Sequence, residues 1–507
     1  MMITKILNLF KFFIGWPLSV EVLLSFFIAC YLVYFTTISF LRYENYYTGR
    51  YDLGNMDQTV WNTLNGRIFQ LTDPNGTNVI SRLSFHADFI LILLSPFYII
   101  WSDPKMLLLI QTIIVALGAV FIYLLSKHIV KDKNLSVVLS FIYLLNPSLQ
   151  RANLYDFHGV TLASTFLLAT FYFFVRKKYF LFLLFAFLSA ITKEQVWIII
   201  ALFGLYIPIS YITGIIPVQG LSLKKIFVDK NFIKQFIFGM FIFLISISIF
   251  YFLIFYAIPK ARGSQHFALS YYSEFGDSPG NIIKNIFLTP QKTISTVFQK
   301  DRIEYLRELF LPVGFLPFLY LPTLVFASPD LVINLLSNNS QLHQIYFQYT
   351  STITPFLFIS TIYALKLLRK KFPKVPIIVL SLYLIAVSFY SAYEFGPLPF
   401  SKNPNIDPII KPQPYKKIID DFLYKIPQKY SIAATNNIGS HISHRHRIYT
   451  VPVGIDQADI IIFLLNDPFA QPSLEAQKQM VLDLKKDKNY IEVFKQNDFI
   501  VFKKSSL

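Results

Sequence analysis

The chain carries one apolar run after another of near-bilayer length, and that succession limits its possible folds more than any other feature. A backbone crossing hydrocarbon must satisfy every N–H and C=O internally, so runs of about 17–25 apolar residues read as transmembrane helices. Roughly eleven candidates are present, over residues 18–40, 104–127, 135–149, 159–175, 178–192, 195–213, 236–258, 304–319, 321–337, 350–368 and 375–393. Composition agrees: of 507 residues 54% are hydrophobic and 15% charged, with a mean hydropathy of +0.50, far more apolar than a soluble domain of this size. The formal charge of +17 falls in short clusters between the runs. That is the pattern of cytoplasmic loops and not a continuous basic face for nucleic acid. The single cysteine, Cys30, lies inside the first run and excludes an intrachain disulfide or a cysteine metal centre.

Charge flanking the runs predicts their orientation. The clusters are Lys5/Lys11, Lys127/Lys131/Lys133, Arg176/Lys177/Lys178, Lys224/Lys225/Lys230/Lys234 and Arg369/Lys370/Lys371/Lys374. All reach one side if Phe89 to Trp101, which is too short to cross comfortably, is an interfacial or re-entrant segment. The expectation is a multi-pass plasma-membrane protein with a cytoplasmic N-terminus. Residues 1–393 form its α-helical transmembrane domain, with a first outer loop at 41–103 and a long outer loop at 259–303. Pro312, Pro317, Pro322 and Pro329 interrupt 304–337, and a single span there would invert the C-terminal half. After a linker containing Pro397, Pro399, Pro404, Pro408, Pro412 and Pro414, residues 394–507 read as a small extracytoplasmic α/β domain. Strand patterns lie at Tyr430 to Ala434 and Asp459 to Leu465, a helix at Ser473 to Leu484, and a closing hairpin at Tyr490 to Phe494 with Phe499 to Lys503.

Ionisable groups bordering the apolar runs are expensive and therefore candidates for function. They are Asp52 and Asp57; His86 and Asp88; Asp156 and His158; Lys193 and Glu194; and His343 with Tyr346 and Tyr349, all placed on the outer side. Asp52, at the membrane edge, suits a general base, while the alternative is an N-cap for the helix beginning near Gly54. Asp57 lies within that helix, where capping or solvation competes with a catalytic role. His86, Asp88, Asp156 and His158 have donor types that suit a divalent metal ion, or else a polar substrate or each other. Lys193-Glu194 is either a short loop with its own ion pair or, with Arg151, a neutraliser of lipid-linked phosphate. In the tail, Asn436 to Arg447 contains His441, His444 and His446 and reads more readily as a solvated loop than as an anion or metal site.

Taken together, Tyr51-Asp52-Leu53-Gly54-Asn55-Met56-Asp57-Gln58, Phe85-His86, Asp156-Phe157-His158 and Lys193-Glu194 resemble the DUF2079 family of predicted prokaryotic membrane proteins. Tyr272 to Pro279 and the Ala434-Thr435-Asn436 to His441-Ile442-Ser443 stretch extend the resemblance. That family is similar in turn to the GT-C superfamily of polytopic glycosyltransferases. The resemblance implies transfer of a sugar from a polyprenyl-phosphate donor to an extracytoplasmic glycan, lipid or protein acceptor at the bilayer, with Asp52 as base and Asp57 as alternate. His86, Asp88, Arg151, Asp156, His158, Lys193, Glu194, His343 and Tyr346 would then bind substrate. A transporter or lipid flippase using outer-face Asp and His groups is the alternative; it calls for charges at mid-depth, and the candidate spans are almost free of them.

The predicted topology is checked by cysteine accessibility. In a Cys30→Ser background, Asp52→Cys is expected to react with a membrane-impermeant maleimide added to intact cells. Labelling only after the cytoplasmic face is exposed would overturn the orientation.

Overall fold

The computed structural model describes residues 19–219 and 228–507; Lys5, Lys11, Lys224 and Lys225 lie outside the described residues. Among the described residues five helices are long and apolar enough to cross a membrane: Val20–Glu44, Lys105–Ile129, Val196–Thr213, Lys230–Arg262 and Ile377–Phe395. Ser19 starts the first of these by accepting the Val22 N–H at 3.3 Å, satisfying one of the amides that a helix N-terminus leaves open. The shorter apolar helices Lys133–Leu144, Gly159–Val175 and Tyr179–Ala190 pack between the long ones. A continuous core runs through them, including Phe35, Val115, Ala119, Ile142, Leu167, Phe203, Phe326 and Phe356. Gly204 and Gly239 let two of the long helices approach backbone to backbone. A Cβ at Gly204 would lie 2.6 Å from the Gly239 carbonyl, so only the absence of a side chain permits this contact.

Two expected spans are not single helices. Residues 304–319 begin as the charged helix Lys300–Phe310 and continue as the 3-10 turns Leu311–Val313 and Leu316–Leu319. Residues 321–337 divide into Leu321–Leu324, Val325–Ala327 and Ser328–Leu336. Pro312, Pro317, Pro322 and Pro329 each stand in the first turn of a new piece, the position where a missing N–H costs no hydrogen bond. Phe89 to Trp101 is likewise two short helices, Ile90–Leu94 and Phe97–Ile100, with Ile99 75% and Ile100 79% exposed. Neither piece is long enough to cross.

The first loop pairs β1 (Gln70–Thr72) with β2 (Val79–Ser81). In the C-terminal segment, β3 (Ile432–Ala434), β4 (Ile448–Thr450), β5 (Ile460–Leu464), β6 (Tyr490–Gln496) and β7 (Phe499–Lys504) form one mixed sheet in the order β4-β3-β5-β7-β6. β3 runs parallel to β4 and β5, and β7 runs antiparallel to β5 and β6. Strand β4 has no counterpart in the sequence expectations, because three residues between a His-rich loop and a turn are too few to display alternation. Linker and sheet are fastened to the helical part. Asn45 donates to the Pro408 carbonyl at 3.0 Å and accepts the Gln413 N–H at 2.9 Å.

The His-rich loop is solvated only in part: His446 and Arg447 are exposed, while His441 and His444 are half-buried in this interface. His441 lies between the rings of Tyr43 and Tyr46, at 4.2 and 4.0 Å, and burial pushes its imidazole down to about 3. The carbonyls of Arg445 and His446 accept from Gln58. Asp57, fully buried, receives the hydroxyls of Tyr98 and Ser443 and lies 3.1 Å from His444 Nε2. Burial works against a charged His444, but the Asp57 carboxylate outweighs it and raises the imidazole above its ordinary 6.5.

The raised value sets the sign of a pH dependence. The pair contributes fully below pH 6.5 and is lost as pH rises through the higher folded-state value. Comparing wild type with His444→Gln by thermal unfolding in lipid nanodiscs is expected to show a wild-type advantage of about 1.5–3 kcal/mol at mildly acid pH that shrinks in alkali. An advantage that does not change with pH would refute the ion pair.

Candidate active site

Asp52 sits in a π-helical turn, Arg50–Gly54, that leads into the helix Asn55–Leu64. It is not that helix's cap: no side chain caps its N-terminus. The Asp52 carboxylate is 33% exposed and is met by His158 Nε2 at 3.2 Å and by the Tyr155 hydroxyl at 3.4 Å. The Tyr155 ring stacks on His158 at 5.5 Å. The His158 main chain is held in turn, its N–H donating to Gln111 Oε1 at 2.9 Å.

Asp156 supports this arrangement from behind. Its φ of 72° is left-handed, a conformation Asp tolerates better than most residues. The resulting turn sends its side chain to the Gly49 N–H at 3.1 Å and to within 3.7 Å of Arg42. Burial raises the carboxyl to about 6, with Arg42 pulling the other way. Asp156 therefore anchors the entry to the Asp52 turn and does not line the cavity in front of it.

That cavity has a volume of about 690 Å³ and is predominantly polar, with Asp52, Tyr155, His158, His86, Lys193 and Asn436 among its walls. A second cavity of about 220 Å³, mostly apolar, adjoins it. His86, Lys193, Phe267, Tyr271, Gln348 and Tyr349 line both. The Lys193 ammonium lies 5.4 Å from the Tyr349 ring centre and makes no ion pair among the described residues. Asp330, 2% exposed, lies in the wall of the apolar cavity.

The four residues expected to share a metal do not converge. Asp88 is taken by Arg82 at 2.8 Å, Asp156 by Gly49 and Arg42, and His158 by Asp52. The metal-capable group among the described residues is His86, Glu194 and His266, whose ligand atoms lie within 4.8 Å of one another. Glu194 accepts the Ala87 N–H at 3.0 Å and stands 2.8 Å from His86 Nδ1 and 3.4 Å from His266 Nε2. Ala268 donates its N–H to His266 Nδ1 at 3.1 Å, which assigns the ring proton to the Nε2 facing Glu194. Burial pushes His86 down to about 4. Burial opposes the Glu194 charge, but the two histidines outweigh it and hold the carboxyl well below its usual range. Sequence reasoning passed over His266, a lone histidine in a long loop with no spacing motif to mark it.

Other expected site residues stand elsewhere. Arg151 is consumed by main-chain carbonyls, those of Phe395 at 2.6 Å and Gly396 at 3.1 Å, and lines neither cavity. His343, buried, lies 3.0 Å from Asp301. Tyr346 packs edge-on against Tyr155 at 5.7 Å, behind the Asp52 contact. Asp57 is enclosed in the interface described above.

The architecture has relatives. The structure of ArnT from Cupriavidus metallidurans bound to undecaprenyl phosphate matches with a TM-score of 0.51 at 11% identity, covering 96% of this chain and 98% of that one. The archaeal oligosaccharyltransferase AglB from Archaeoglobus fulgidus, in complex with an inhibitory peptide and a dolichol-phosphate, matches with a TM-score of 0.38 at 12% identity, over 84% of this chain and 65% of that one. No curated protein matches the sequence. Residues 42–501 match the family described as predicted membrane protein DUF2079, a stretch that includes the Asp52 turn, both cavities and the C-terminal sheet as far as Val501, and the chain belongs to that family.

Proposed function

We propose that the protein is a membrane glycosyltransferase that moves a sugar from a polyprenyl-phosphate-linked donor to an acceptor on the outer side of the plasma membrane. The observation that carries this reading is the pairing of a polar cavity holding Asp52 with an adjoining apolar cavity, and a lysine at their junction. An amphiphilic donor has the same division: a lipid chain, a phosphate and a sugar. The fold shared with ArnT, whose structure holds undecaprenyl phosphate, supports it.

In this reading the donor's phosphate lies at Lys193 and its sugar extends toward Asp52. Asp52 accepts the proton of an acceptor hydroxyl as that oxygen bonds to the anomeric carbon. The bond from anomeric carbon to phosphate oxygen breaks, and polyprenyl phosphate leaves with both electrons, its charge offset by Lys193. His158 and Tyr155 hold the carboxylate on line, a positioning role that helps preorganise the attack. Arg151, which sequence reasoning set beside Lys193, is left out because its donors are spent on the linker.

The His86–Glu194–His266 group has the donor types and spacing of a divalent-ion site, and an ion held there would take the place of the proton on His266 Nε2. When bound, such an ion would supply positive charge beside the donor phosphate.

Two measurements test the reading. Purified protein in lipid, given labelled polyprenyl-phosphate sugars, is expected to lose about 10²–10⁴-fold in transfer rate on Asp52→Asn. Full transfer by that variant removes Asp52 as base, and no transfer by wild type with any donor favours the transporter. Metal analysis of the dialysed protein is expected to find one zinc or manganese per chain, displaced by chelator and lost in His266→Ala. Equal metal content in the variant would eliminate the site.

A further inference from the structure

The C-terminal domain does more than cover the cavity; it supplies part of its wall. Asn436, Phe469 and Gln471 line the Asp52 cavity from that domain. Asn436 is held in place, its Oδ1 accepting the Tyr51 N–H at 3.1 Å beside the Asp52 turn. Phe469 is 87% exposed, a large apolar ring kept in water at the mouth of a site, where it loses the burial that normally holds an aromatic side chain.

The chemistry of the wall is specific. The ionisable groups that reach the polar cavity have partners within the chain: Arg82 with Asp88, His158 with Asp52, His86 with Glu194. Lys193 stands apart from these, and it lies at the junction with the apolar cavity. Beside these pairs the wall carries neutral amides and aromatic rings. The side-chain amides of Asn75, Gln341 and Gln471 have no hydrogen-bond partner among the described residues, and each offers both donors and an acceptor. An anionic headgroup would find no free cation there. A wholly apolar ligand would leave the amides unpaired, which disfavours it. A pyranose ring has what the wall lacks: hydroxyls around its edge that both donate and accept, and a C–H face that lies flat on an aromatic ring. The volume of about 690 Å³ is within the range of about 300–1,000 Å³ usual for small-molecule sites.

We infer that the acceptor is a neutral carbohydrate, bound between the amides of the first and C-terminal segments and stacked on Phe469 above Asp52. This deepens the transferase reading and rests on it for the word acceptor. The carbohydrate site itself makes a separate claim, since binding needs no donor. Phe469 and Gln471 are then specificity residues belonging to a domain that carries none of the proposed reacting groups.

The test is saturation-transfer NMR on the full chain in nanodiscs, with neutral hexose tri- and tetrasaccharides as probes and uronic-acid oligosaccharides and short Asn/Ser/Thr peptides as comparators. Transfer to the sugar C–H protons is expected for the neutral probes and not for the comparators. It is expected to fall about five- to tenfold in Phe469→Ala, with recovery in Phe469→Tyr. Because Phe469 is exposed, its removal leaves the core intact, and an unchanged melting temperature verifies this. Absence of transfer to every neutral saccharide overturns the inference, as does transfer undiminished by Phe469→Ala or a preference for the peptides. Failure of the transferase reading is seen separately, as wild-type protein that binds saccharide yet turns over no lipid-phosphate sugar.

Discussion

A fully buried carboxylate, Asp57, holds the two halves of this protein together. An ionised group shut away from water must be paired and hydrogen-bonded, or it costs several kcal/mol. Asp57 gets its partners from two separate stretches of chain, Tyr98 from the short helix Phe97–Ile100 and Ser443 and His444 from the C-terminal loop, both meeting the helix that begins just after the Asp52 turn. Satisfying one charge therefore closes an interface. The His441 ring between Tyr43 and Tyr46, and the Gln58 amide on two C-terminal carbonyls, extend the same contact in both directions.

That closure is what leaves Asp52 available. The two acids are five residues apart and have opposite surroundings: one without solvent and with its acceptors filled, the other one-third exposed and touched by a histidine and a tyrosine. The Arg50–Gly54 turn is held from both sides, by Asp156 on the Gly49 N–H and by Asn436 on the Tyr51 N–H. The main chain leading into Asp52 is thus fixed, while His158 and Tyr155 direct its carboxylate oxygens. Preorganisation of this kind lets a side chain meet a reacting group with little rearrangement.

The buried charges around the cavity follow a common rule of pairing. Arg82 neutralises Asp88, and Glu194 collects two imidazoles and a main-chain N–H. Arg151 shows the same economy with a different result. It was a candidate for phosphate on the strength of its place at a membrane edge, but its guanidinium is committed to carbonyls where the last long helix ends and the linker begins. Pairing of this sort cannot be read from sequence separation, since the partners of Arg151 lie 244 and 245 residues away.

The membrane class of the chain, the stretches rich in polar functional groups and the family they resemble are all legible in the amino-acid order. These depend on local quantities: the length of an apolar run, the bias of flanking charge and the order of short motifs. The proline-broken stretch from 304 to 337 marked its own uncertainty, because a residue without an N–H announces where a helix must restart. Tertiary contacts settle which acid is enclosed and which faces the cavity, that His86 is joined by Glu194 and His266 and not by Asp88, and that the His-rich loop packs against Asp57 and Gln58. Each of those outcomes rests on contacts between segments tens to hundreds of residues apart, 386 in the case of Ser443 and Asp57. Burial and hydrogen bonding assign a polar side chain its role only once such segments have met.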